Sequence, residues 1–189
     1  MAKLIWIDLE TTGLDPDKHR ILEVCAFEST VEDPFNVREL YHAVIGHNAM
    51  REEGTGDLPD DIVINMHAAS GLWLACEQST TTVQAPEDDL LALIGPLPDD
   101  YTERAVLAGS TPQFDRGFIR RWWPRVYKLF HHRHFDVSSV KLFARMLGMP
   151  KIEPRETHRA REDILESIDH ARRCFDWCRA LNVQPPVAA

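Results

Sequence analysis

The segment "LIWIDLETTGL" at residues 4–14 sets two carboxylates, Asp8 and Glu10, inside an apolar run. Side chains two positions apart on a strand leave the same face, so the two acids point together. A carboxylate pair taken out of water repels itself and its pKa rises unless a cation sits beside it. Exposure at a strand end, or pairing with arginine, relieves the conflict in an ordinary way. A hard divalent ion such as Mg²⁺ or Mn²⁺ relieves it in a functional way, because oxygen ligands are what such ions prefer. Two further acids stand in suitable settings. Asp115, in "STPQFDRGF", follows a buried strand and falls in the first turn of a helix, where the helix dipole also favours an acid. Asp163, in "THRAREDILES", borders the apolar stripe of the last helix. His158 precedes Asp163 by five residues, about 140° around an ideal helix. The two can cooperate only if His158 stands on the chain before that helix, with Thr157 as its N-cap. A histidine in that place suits a general base, since its unperturbed pKa lies near neutrality.

The elements that must carry these groups follow from periodicity. Residues 3–10, 20–29 and 39–46 read as strands joined by links short enough for hairpins, an antiparallel meander. Residues 64–79 suggest one short helix or two, divided at Gly71, and 85–95 a helix opened by Pro86. Residues 104–110 form a buried strand, and 112–124 a helix opened by Pro112 and closed before Pro124. A short strand at 134–139 leads into a helix over 138–148. The last helix spans about 157–181, where Ile164, Ile168, Ala171, Phe175 and Cys178 recur at helical spacing. Three strands followed by alternating helix and strand predict an α/β fold with a mixed sheet flanked by helices. Residues 1–182 read as a single domain and 183–189 as a frayed tail. The acidic, Gly-containing stretch at 47–61 reads as a surface loop.

Composition bounds the function. The 189 residues carry a formal net charge of −9. A sequence-independent binder of long nucleic acid usually presents a basic surface, and only "RRWWPR" (120–125) and "HHRH" (131–134) are locally basic. "RRWWPR" reads as the exposed face and end of a helix, with its tryptophans at a helix–helix or dimer contact. Four cysteines without a CxxC pair, and no signal-like or membrane-length apolar run, predict a cytoplasmic protein with reduced thiols.

The order "IDLETTGL", then Asp115 in a strand-to-helix turn, then His158-x4-Asp163, resembles the DEDDh 3′–5′ exonucleases of the ribonuclease-H-like fold. "HAASGL" (67–72), "FHHRHFDVSSVKLFAR" (130–145) and "THRAREDILESI" (157–168) extend the resemblance to the oligoribonuclease-like members and across nearly the whole chain. The resemblance implies that Asp8, Glu10, Asp115 and Asp163 hold two divalent cations, Mg²⁺ or Mn²⁺. It implies that His158 takes the proton of the attacking water, and that each cycle releases a nucleoside 5′-monophosphate from a short single-stranded RNA. Leu14 would wedge against a base and His67 would line the terminal nucleotide pocket. Thr111, Arg133, Ser138 and Ser139 would cap the 5′ phosphate, with part of that cap coming from the second subunit of a homodimer.

Three positions depart from the resembled pattern. Ile62 stands where a stacking tryptophan is expected, and His132 where a tyrosine precedes the cap arginine. The stretch between Asp136 and His158 is also shorter. None touches the carboxylates. All bear on substrate length, so a DEDDh exonuclease acting on longer RNA or single-stranded DNA is the alternative within the enzyme class. A catalytically silent nucleic-acid-binding protein is the alternative outside it, and such a protein has no need of four acids and a histidine.

Overall fold

The computed structural model describes residues 3–46, 61–155 and 157–181. The tail at 183–189 and nearly all of the acidic stretch at 47–61 lie outside them. Among the described residues, five strands form one sheet: β1 (Lys3–Thr11), β2 (Ile21–Thr30), β3 (Arg38–Val44), β4 (Ala105–Gly109) and β5 (Phe130–Asp136). The order is β3-β2-β1-β4-β5. β1, β2 and β3 pair antiparallel, while β4 pairs parallel with β1 and β5 parallel with β4. The expected meander plus parallel strands is therefore present, with β1 at the centre. The described helices are α1 (Asp61–Ala69), α2 (Leu72–Gln78), α3 (Ala85–Ile94), α4 (Gln113–Trp122), α5 (Pro124–Tyr127), α6 (Val137–Met146) and α7 (Ala160–Leu181). None of them is long and apolar enough to cross a membrane.

The alternation of β1 divides the core in two. Ile5, Ile7 and Leu9 face one layer, packed with Leu90 and Ile94 of α3, Phe118, Ile119 and Trp122 of α4, and Val126 of α5. Leu4 and Trp6 face the other, against Ala160, Ile164, Ile168 and Ala171 of α7. Each fully buried large apolar side chain contributes about 1.5–3 kcal/mol, so the Ile164–Ile168 stripe fixes α7 firmly on the sheet. Asp8 and Glu10 continue the Leu4–Trp6 face toward the C-terminal end of β1. Two apolar residues thus anchor the strand under α7, and the next two on that face are acids.

Three details sharpen or correct the sequence reading. The last helix begins at Ala160 rather than Thr157, because another group caps it, as described below. The helix expected to close before Pro124 ends at Trp122, and Pro124 opens the separate turn α5. Of the two contacts expected for Trp122 and Trp123, helix packing or a dimer, the structure shows packing within the chain. Both are buried, and their indole N–H groups donate to the carbonyls of His19 and Val83 at 3.1 and 2.7 Å. They close the core of this chain and give no support to a dimer contact.

Candidate active site

β4 lies beside β1 only from Leu4 to Trp6. Beyond that point the chain turns into α4, and the Leu9 N–H donates to Asp115 Oδ1 at 3.0 Å. Gly109 permits the close approach, for a Cβ there would meet the Ile7 carbonyl at 2.9 Å. Asp115 is thereby tied to the strand that carries Asp8 and Glu10. From the opposite side α7 brings Asp163. Ligand oxygens of Asp8, Glu10 and Asp163 lie within 4.8 Å of one another.

The electrostatics of this cluster are those of a site built for cations. Burial first, then the charges of Asp163, Glu23 and Asp115, push Glu10 from 4.5 up to about 8. Burial likewise pushes Asp115 from 3.8 to about 8, even though the Leu9 N–H works to lower it. Asp8 is raised well above the usual carboxylate range by burial and by Asp115, Glu10 and Asp163. No lysine or arginine pairs with any of the four among the described residues. An all-oxygen donor set whose repulsion is unbalanced by protein cations suits a hard divalent ion.

His158 stands on the chain before α7, as the spacing to Asp163 required. It adopts φ +52°, a left-handed conformation rare for a residue with a Cβ. Thr157 is not an N-cap. Its hydroxyl donates to Asp163 Oδ1 instead, tying the two ends of the His158 turn together. His67, at the end of α1, is fully buried and donates from Nε2 to the Thr11 carbonyl at 2.9 Å. Its Nδ1 has no hydrogen-bond partner and lies 3.9 Å from Glu10 Oε2. Burial lowers its pKa and the neighbouring His158 lowers it further. His67 is therefore a neutral wall of the site, and His158 is near enough for its charge to be felt there.

The remaining predicted residues are placed less uniformly. Leu14 projects from the β1–β2 turn and is 82% exposed. Thr111, Ser138 and Ser139 gather around the Asp136 carboxylate at the C-terminal ends of β4 and β5. The Thr111 N–H and Ser138 N–H donate to Asp136 Oδ1 at 3.1 and 2.9 Å, and the Ser139 hydroxyl donates to Oδ2 at 2.6 Å. The hydroxyls of Thr111 and Ser138 lie 3.1 Å apart. Burial works to raise Asp136, but these bonds hold it below its ordinary value. Arg133 does not join the group. It is exposed on the edge strand β5, and its guanidinium makes no hydrogen bond or ion pair among the described residues. Ile62 is 80% exposed at the start of α1. His132 stacks on Tyr101 with centroids 5.7 Å apart and exchanges hydrogen bonds with its hydroxyl.

Sequence reasoning missed Asp136 and Glu23. Asp136 carried a signal, an acid immediately before a helix, and it is the N-cap of α6. Glu23 carried the same signal as Asp8 and Glu10, an acid inside the apolar run "RILEVCAF".

The family model for the RNase T type exonucleases matches residues 5–170. This chain belongs to the exonuclease family. Among its relatives, the oligoribonuclease of Corynebacterium glutamicum (strain R) is 40% identical over 181 residues, covering 92% of this chain and 80% of that one. The oligoribonuclease of Chromobacterium violaceum is 34% identical over 174 residues, covering 89% and 91%. Among solved structures, E. coli exonuclease I in complex with a dT13 oligonucleotide superposes with a TM-score of 0.66 at 15% identity, over 96% of this chain and 42% of that one. A zinc-bound form of the E. coli exonuclease I complex with single-stranded DNA gives 0.63 at 15%, over 95% and 43%. These likenesses establish the ribonuclease-H-like fold, and this exonuclease spans less than half the length of those chains. An exonuclease domain of this kind implies dependence on divalent metal, which the acidic cluster fits.

Proposed function

We propose that this exonuclease shortens oligoribonucleotides of a few nucleotides from the 3′ end, releasing nucleoside 5′-monophosphates. The observation that carries the chemistry is the meeting of Asp8, Glu10 and Asp163 within 4.8 Å, with Asp115 bonded to the same strand. These four residues would hold two ions, Mg²⁺ or Mn²⁺. Bound there, divalent cations would supply an activated water nucleophile and stabilise the charge of the leaving 3′-oxygen. His158 accepts the proton of the attacking water, from the turn that precedes α7. His67 stays neutral and closes the inner wall, so it orients a terminal nucleotide without competing for that proton. Leu14, the exposed apolar group on the β1–β2 turn, packs against a base.

The hydroxyls of Thr111, Ser138 and Ser139 offer donors to the 5′ phosphate, and a guanidinium would add two parallel bonds. Arg133 makes no bond to that cluster within its own chain, which suits completion of the cap across a homodimer. The names of the curated relatives and the net charge of −9 both favour short substrates over a long strand tracked along a basic groove. Residues 1–182 act as one exonuclease domain, and four free cysteines suit a reducing cytoplasm.

A 5′-labelled short oligoribonucleotide incubated with the protein and Mg²⁺ tests this. The expected result is a ladder shortening from the 3′ end with nucleoside 5′-monophosphates as product, and two ions bound per chain in a Mn²⁺ titration. Internal fragments, 3′-phosphate products or metal-independent cleavage would contradict it.

A further inference from the structure

Glu23 is fully buried, and it pairs in register with Glu10 across the β1–β2 ladder. A carboxylate in that position adds a fifth negative charge behind four others, which is costly unless its own needs are met. They are met completely. The guanidinium of Arg159 donates to Glu23 from Nε at 3.0 Å and from its terminal nitrogen at 2.8 Å. The Ala160 N–H donates to Oε2 at 3.0 Å, and His42 Nε2 lies 2.8 Å from Oε1. Burial alone would raise the pKa of Glu23, but the bonds from Arg159, His42 and Ala160 bring it below its ordinary value.

Two consequences meet at His158. Ala160 is the first residue of α7, and its N–H is one of the donors that a helix start leaves without an intrahelical partner. Glu23 supplies the cap from another strand, and its charge sits where the helix dipole favours an anion. Arg159, next in sequence to His158, is held inward by the same carboxylate. The Asp163 N–H donates to the Arg159 carbonyl at 2.9 Å, so the metal-binding turn hangs from the same residue. His158 is left between an anchored Arg159 and a Thr157 tied to Asp163, in a left-handed conformation that an unrestrained chain would abandon.

We infer that the buried Glu23–Arg159 pair, backed by His42, is a positioning device that holds the turn bearing His158 against the carboxylate cluster. Glu23 touches no substrate and acts only through that turn. The inference rests on the reading of His158 as the general base.

The test is a double-mutant cycle on the full chain with Mg²⁺, using Glu23→Gln and His158→Ala. Glu23→Gln keeps the shape and one acceptor oxygen for the Ala160 N–H but loses the ion pair. Turnover in Glu23→Gln is expected to fall about ten- to a hundredfold, the scale of a catalytic group misplaced by about 1 Å, with KM within about twofold. In the His158→Ala background the same change is expected to cost less than about twofold, because the group it positions is gone. Arg159→Lys, which keeps the charge but loses the two-pronged bond to Glu23, is expected to give a milder version of the same pattern. Equal losses in both backgrounds, or a loss confined to KM, would overturn the inference. Full turnover in His158→Ala alone would instead overturn the general-base reading on which it rests.

Discussion

Asp8, Glu10 and Asp163 meet within 4.8 Å on a central strand and a packed helix, whereas Thr111, Ser138 and Ser139 meet only around Asp136, and Arg133 stands apart on the sheet edge. The acidic end is held by core elements and stores unfavourable charge. The hydroxyl end is largely exposed and stores none, because the Thr111 and Ser138 N–H groups and the Ser139 hydroxyl reach one carboxylate while the hydroxyls of Thr111 and Ser138 meet each other. The difference separates two jobs. The chemistry needs a fixed geometry, which a rigid strand and helix supply. Under the proposed function, selection of substrate length needs donors that can exchange an internal partner for a phosphate, and an open cluster suits that role.

The sharpest break falls at the acidic end. Asp8→Ala is expected to reduce turnover by about a thousandfold or more, the several kcal/mol that metal charge supplies. The same variant should melt no lower than the parent in the absence of metal, since one of four mutually repelling acids is gone. Near-full turnover with Mg²⁺ would show that the cluster is not the catalytic centre. His158→Ala is expected to slow the chemical step by about 10²- to 10⁴-fold while leaving KM nearly unchanged. A raised KM with unchanged kcat would move His158 to the substrate-binding side of the comparison.

Metal removal and pH probe the stored charge directly. Glu10 and Asp115 have folded pKa values near 8, against 4.5 and 3.8 ordinarily. The folded chain therefore binds more protons than the unfolded chain across that window, and stability falls as pH rises through it. With metal chelated, the melting temperature should decline from pH 5 to pH 8 and then level off as far as these groups are concerned. Added Mg²⁺ should raise it more at pH 8 than at pH 5, because at low pH protons compete for the same oxygens. A metal-induced rise that is the same at both pH values would mean the cations bind elsewhere.

The smallest effect belongs to the open end. Ile62→Trp puts a π face where the exposed isoleucine has none, and base stacking on an aromatic side chain is worth about 1–3 kcal/mol. KM for a dinucleotide should fall by about fivefold or more, with kcat little changed. An unchanged KM would place Ile62 away from the bound base.

Much of the fold was legible because β1 and α7 have unmixed periodicity, and the mixed sheet follows from three hairpin-linked strands ahead of alternating elements. Asp8, Glu10 and Asp163 were legible because acids in or beside apolar stripes are conspicuous. The start of α7 was not, since its cap is Glu23, 137 residues from the Ala160 N–H it accepts. Local capping rules looked only to Thr157. Trp122 and Trp123 beside three arginines resembled a surface patch, and their burial depended on carbonyls of His19 and Val83 that sequence distance concealed. Nor was it readable that Arg133 makes no bond to the hydroxyl cluster among the described residues, because sequence alone does not reveal where an exposed side chain on an edge strand lies.

Substrate length tests the central claim most directly. Initial rates on a 5′-phosphorylated diribonucleotide and on an RNA several times its length, at equal concentration and with Mg²⁺, compare the two ends of the site in one assay. Faster release of nucleoside 5′-monophosphate from the dinucleotide is the expected result, since the proposed function sets its 5′ phosphate at the hydroxyl cluster while its 3′ end lies at the acids. Equal rates, or a preference for the longer RNA, would contradict it.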